Sequence, residues 1–103
     1  MRLVIASKGC IRWRVVLKGH AVHSSKPHLG VNAIHGMCPI LDALRSDADR
    51  LQSFSHSLVG SPTINVGVIR GGSQDNIVPD FCSIEIDRRL IPGESPDAVL
   101  EHY

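Results

Sequence analysis

The sequence predicts an α+β domain, an antiparallel sheet with two helices on one face. Three observations carry this prediction. Apolar and polar residues alternate over three stretches, which is the period of strands with one buried face. Between the first and second stretch, apolar residues recur every three or four positions, as on an amphipathic helix. A helix-start signal follows the third stretch.

The first strand is Cys10 to Lys18. Ile11, Trp13, Val15 and Leu17 fall on one face; Arg12, Arg14 and Lys18 fall on the other, with Val16 the exception. Gly19 ends it, and His20 to Pro27 is a polar loop. Leu29, Ala33, Met37, Ile40, Leu41 and Leu44 then mark one face of a helix running roughly from Val31 to Leu44. Pro39 lies inside that helix. It removes the hydrogen bond to the His35 carbonyl and is expected to kink the axis, and Gly36 weakens the helix further. Ser46 to Ser61 is polar, with Asp47, Asp49, Arg50 and several serines, and reads as a helix tail followed by a surface loop.

The second strand runs from Thr63 to Ile69, where Ile64, Val66 and Val68 alternate with Thr63, Asn65 and Gly67. The glycine-rich turn Gly71-Gly72-Ser73-Gln74-Asp75-Asn76-Ile77-Val78-Pro79 follows. Both glycines can take positive φ, so the chain can reverse tightly here. Asn76 stands where the chain leaves the turn, and Pro79 holds Val78 extended. In the third strand Cys82, Ile84 and Ile86 alternate with Ser83, Glu85 and Asp87. The second and third strands should form an antiparallel hairpin with one wet face. The run Leu90-Ile91-Pro92-Gly93-Glu94 breaks the pattern. Ser95 then caps a second helix that has Pro96 at its first position and Asp97 in its first turn. Its two turns to Tyr103 are marginal without tertiary support.

The order strand, helix, strand, strand, helix is a split βαβ, ferredoxin-like two-layer sandwich, truncated before its last strand. The 103 residues make one domain.

Bulk properties narrow the function classes. The chain is 43% hydrophobic and 20% charged with net charge +1, an ordinary globular balance that calls for neither nucleic acid nor an anionic membrane. Only 4% is aromatic, too little for a base-stacking platform. No apolar run approaches the roughly 20 residues that span a bilayer, and the N-terminal apolar stretch is too short for a signal peptide. A cytoplasmic protein is expected. Cys10, Cys38 and Cys82 form no C-x-x-C pair, so they read as small buried hydrophobes.

The residues by themselves indicate little chemistry. His20 and His23 lie three apart without an evident third ligand, so no metal site is expected in this chain. There is no nucleophile elbow or phosphate loop, and Gly71-Gly72 lacks the third glycine and the following helix of a dinucleotide site. Ser24 and Ser25 beside His23 read as a hydroxyl-rich turn, since no residue is placed to orient the histidine. Three polar features remain: His23, Asn76 and the run Asp87-Arg88-Arg89. Each has an ordinary reading as a loop histidine, a turn asparagine and an arginine paired with Asp87 or Glu85.

Taken in order, four segments resemble one family. They are Gly19-His20-Ala21-Val22-His23-Ser24-Ser25-Lys26-Pro27, Gly30-Val31-Asn32-Ala33-Ile34, the turn from Gly71 to Asp80, and Asp87-Arg88-Arg89-Leu90-Ile91-Pro92-Gly93. The family is the dimerisation (lid) domain of the zinc aminoacylase and carboxypeptidase-like metallohydrolases. Acetylornithine deacetylase and succinyl-diaminopimelate desuccinylase belong to it, and the His-Ser-Ser-x-Pro phrase is most similar to the deacetylase branch. The resemblance covers Lys8 to Tyr103.

It implies a parent zinc amidohydrolase that removes an acyl group from an N-acyl amino acid. The zinc sits in a separate catalytic domain and none is bound by this segment. The lid pairs with its copy to make a homodimer. It implies that His23 reaches the partner subunit's active site and donates to the oxyanion. Asn76 helps hold substrate, and Arg89 clamps a substrate carboxylate with its guanidinium fork. Gly71 and Gly72 let the backbone approach the substrate. None of the catalytic-domain motifs is present, so the segment alone is expected to be inactive. The alternative is a stand-alone ferredoxin-like module that binds a small ligand or dimerises without catalysis.

Overall fold

A computed structural model of the chain describes residues 2–6, as backbone, and residues 9–53, 61–91 and 93–103. The strands are β1 (Arg2–Ala6), β2 (Cys10–Lys18), β3 (Thr63–Gly71) and β4 (Phe81–Arg89); the helices are α1 (Ala33–Gln52) and α2 (Pro96–His102). They form one antiparallel sheet in the order β1-β2-β4-β3. The ferredoxin-like class holds. The sequence reading expected three strands; the sheet has a fourth, β1, whose Arg2 to Ala6 pair antiparallel with Val15 to Ile11.

The core lies between the sheet and α1. Ile11 and Trp13 of β2, Cys82, Ile84 and Ile86 of β4, and Ala33 and Met37 of α1 form one buried cluster. These are the inward positions of the alternating and helical patterns. Full burial of a side chain such as Met37 (0% exposed) contributes about 2 kcal/mol.

Three elements depart from the sequence expectation. Helix α1 continues two turns beyond Leu44, because Ala48 is half-buried and Leu51 buried on the same 3–4 spacing. It runs unbroken through Pro39, since packing of Met37, Ile40, Leu41 and Leu44 on the sheet outweighs the lost backbone bond. Leu29 is not on this helix face. It sits 58% exposed in a short 3-10 turn, Pro27–Leu29, ahead of α1. In β3 the register shifts between Val66 and Val68. This bulge sets Val68 opposite Glu85, on the open face, while Ile64 and Val66 pack on the core. The surface loop expected before Ser61 lies outside the described residues over 54–60, as does Pro92 in the break after β4.

Helix α2 starts where expected, with Ser95 Oγ accepting from the Ala98 N–H at 3.5 Å. Its seven residues would not hold alone. Tyr103, just past its end, supplies the anchor: its ring lies 5.2 Å from that of Trp13, and its hydroxyl donates to Asp47. No helix among the described residues is long and apolar enough to cross a membrane.

Candidate functional site

Because β2 and β4 are neighbours, the loop leaving β2 and the loop entering β4 start side by side, with Lys18 opposite Phe81. They then join through the main chain. Gly19 N–H donates to Asp80 O at 2.7 Å, Val78 N–H to Val22 O at 2.8 Å, Ser24 N–H to Asn76 O at 2.9 Å and Ala33 N–H to Pro79 O at 3.0 Å. His20 and Val31 exchange both backbone bonds, at 2.8 and 3.0 Å. His23 and Ile77 form an antiparallel bridge.

The approach is close enough to require glycine at position 19, where a Cβ would lie 2.1 Å from the Val31 carbonyl oxygen. Of the two turn glycines, only Gly72 takes the left-handed region, at φ 81°. Gly71 is the last residue of β3, opposite Cys82, so the expectation of positive φ is met at one glycine only. Both glycines line a shallow depression of about 470 Å³ with Asn32, Ile34 and His35.

The loop pair brings His23 and Asn76 together. Both side chains are exposed, on a frame whose backbone is fixed. His23 Nδ1 lies 3.1 Å from the Ser25 backbone nitrogen and 2.9 Å from Ser25 Oγ.

Arg89 is elsewhere. It lies seven positions along β4 from Cys82, which pairs with Gly71, a span of roughly 23 Å at strand rise. It is bound to Asp87 at 3.1 Å and is 57% exposed. Asp87 thus serves as its partner, as one ordinary reading of the run anticipated.

The neighbouring Arg88 was not singled out, and it is the buried one. It is 3% exposed, on the inward side of β4. Its guanidinium grips Glu94 with Nη1 to Oε1 at 3.2 Å and Nη2 to Oε2 at 2.8 Å, and Nη1 also donates to the Arg89 carbonyl at 2.6 Å. Glu94 accepts as well from the Ile91 N–H at 2.9 Å. Tyr103 joins this pair to Asp47, which also holds Arg50 at 2.7 Å and His102 at 3.3 Å.

The Arg88 guanidinium holds the Glu94 carboxyl below the ordinary glutamate range. Burial pushes Asp47 up, but the Tyr103, Arg50 and His102 bonds outweigh it and leave Asp47 low. Burial, with Asp47, raises Tyr103. The signal for Arg88 was present: period two from Cys82, Ile84 and Ile86 lands on 88. Among the described residues no three His, Cys, Asp or Glu side chains converge as a metal site.

One antiparallel sheet carrying helices, with a backbone-zipped loop pair at one end, defines a ferredoxin-like α+β domain. The sequence model described as the peptidase dimerisation domain matches residues 5–103, and the chain belongs to that family. It is similar to an acetylornithine deacetylase of Vibrio cholerae, with 38% identity over 97 residues, 91% of this chain and 26% of the relative. It is also similar to a protein of Blastomyces gilchristii named "Probable carboxypeptidase", with 35% identity over 102 residues, 95% of this chain and 24% of the relative. Among solved structures, the aminobenzoyl-glutamate utilization protein of Klebsiella pneumoniae aligns at TM-score 0.54 and 30% identity, over 90% of this chain and 22% of that one. The chain spans about a quarter of the length of these curated relatives.

Proposed function

We propose that this chain is the dimerisation and substrate-capping part of a larger zinc-dependent amidohydrolase. That enzyme removes the acyl group from a small N-acyl amino acid, in the manner named for its deacetylase relative. The carrying observation is the juxtaposition of His23 and Asn76 on one rigid loop pair, with both side chains exposed and Ser24 N–H bonded to Asn76 O at 2.9 Å. A neutral imidazole N–H suits an oxyanion that develops on an amide carbonyl, and an asparagine amide suits the polar body of the substrate.

The distance to Arg89 supports a homodimer. A small amino acid cannot span roughly 23 Å of strand. In this reading His23 and Asn76 therefore serve one active site, and Arg89 serves another as a carboxylate clamp. Each lid contributes to both sites of the dimer. In this reading the zinc is held by the catalytic part of the larger enzyme, and the enzyme works in the cytoplasm.

In the complete enzyme, His23→Ala is expected to lower kcat by roughly 10²–10³ with little change in KM. Steady-state kinetics on an N-acetyl amino acid check this, and an unchanged kcat removes His23 from the reaction.

A further inference from the structure

His23 is oriented by the residue two places on. Residues 23–26 form a tight turn, with Lys26 N–H donating to the His23 carbonyl at 3.0 Å. That turn swings the Ser25 backbone N–H to 3.1 Å from His23 Nδ1, and the Ser25 hydroxyl oxygen lies 2.9 Å from the same nitrogen. The arrangement parallels an Asx turn, with the ring nitrogen in place of the side-chain oxygen. A backbone N–H can only donate, so Nδ1 is the acceptor. In a neutral imidazole the proton then sits on Nε2, at the far edge of the ring. The hydroxyl rotates freely and shares the single Nδ1 lone pair with the N–H as a bifurcated donor. Ser24, between the two residues, is bonded to Asn76, so the turn is fixed on the second loop.

We propose that Ser25 is the positioning residue of His23. Its N–H and hydroxyl hold the neutral ring as the Nε2–H tautomer, and so present a donor to the carbonyl oxygen of an acyl substrate. This rests on the reading of His23 given above and adds the device that makes it a donor. The opposite tautomer would present a lone pair to the developing negative oxygen and repel it.

The test is the tautomer itself. Long-range proton–nitrogen correlation spectra of the ¹⁵N-labelled chain, at a pH where its histidines are neutral, report which ring nitrogen carries the proton. His23→Gln identifies the His23 signals. His23 is expected to be roughly fivefold richer in the Nε2–H form than the exposed histidines His28 and His35, the bias one net hydrogen bond supplies. Ser25→Ala keeps the N–H and is expected to lose part of that excess. A wild-type His23 with the same mixture as His28 and His35 overturns the proposal. A Ser25→Ala spectrum identical to wild type overturns the hydroxyl's part in it. The two readings fail separately: a fixed tautomer with a harmless His23→Ala in the complete enzyme removes the catalytic role, whereas a mixed tautomer with a damaging His23→Ala removes only the role of Ser25.

Discussion

The two ends of the sheet are held together by different chemistry. At the loop end the joining is done by the main chain, from Gly19 to Asp80, Val78 to Val22 and Ser24 to Asn76. At the other end it is done by side chains, with Arg88 on Glu94 and Tyr103 bridging to Asp47. A backbone frame needs no side chain to join the two loops, so His23 and Asn76 stay exposed. The charged corner uses its polar groups on one another and fixes the short α2. A site for a ligand is expected at the first kind of end and a structural lock at the second.

The sharpest way to break this comparison is Arg88→Ala. It leaves Glu94 half-buried without its cation and is expected to cost about 4 kcal/mol in urea unfolding. Replacing both partners with apolar residues of similar size should restore much of that, because a buried pair repays little more than its own desolvation. A loss below about 1 kcal/mol for Arg88→Ala would show that the corner is no lock.

Gly19→Ala attacks the other end. Its Cβ would sit against the Val31, Pro79 and Ala33 backbone, which cannot yield as a flexible side chain would. A cost of roughly 3 kcal/mol is expected. Hydrogen exchange should show protection lost at the Ser24 and Val78 amides, with Ala98 and Tyr103 in α2 unaffected. Uniform loss across the chain would mean that the ends are not independent.

The smallest effect is acid sensitivity. The folded pKa of Glu94 is depressed by Arg88, and that of Asp47 is also low despite its burial. The unfolded chain therefore takes up protons first as pH falls. The stabilisation is complete above roughly pH 5 and is lost as pH drops through the folded values. Arg88→Ala should flatten the Glu94 share of this slope and leave the Asp47 share. An unchanged slope would show that the pair is not the source.

Much of the fold was legible in the sequence. Alternation placed Ile11, Trp13, Cys82, Ile84 and Ile86 inside, and the 3–4 spacing placed Ala33 and Met37 against them. Ser95 and Pro96 marked the start of α2. These signals are local: a side chain's face follows from its position in a repeat of 2 or 3.6 residues. The same rule extended to 48 and 51 marks the true length of α1, and extended to 88 marks the buried arginine. The candidate site was less legible. His23, Asn76 and Arg89 stood out through a family resemblance, and nothing in their spacing showed that two of them would meet and the third would lie at the far end.

The sequence by itself determined which stretches would be strands or helices and which faces would be apolar, because those follow from nearest neighbours along the chain. Only the tertiary structure decided the rest. Arg2–Ala6 took the place beside β2 because unpaired strand edges there seek backbone partners. Pro39 stayed within an unbroken helix because packing across the sheet outweighed one local bond. The bulge before Val68 was set by the register of β4, and Arg88 found Glu94 through the fold of the corner between β4 and α2. His23 and Asn76 met because β2 and β4 are adjacent in the sheet. Distances between residues far apart in the chain depend on strand order and register, and no local periodicity carries that information.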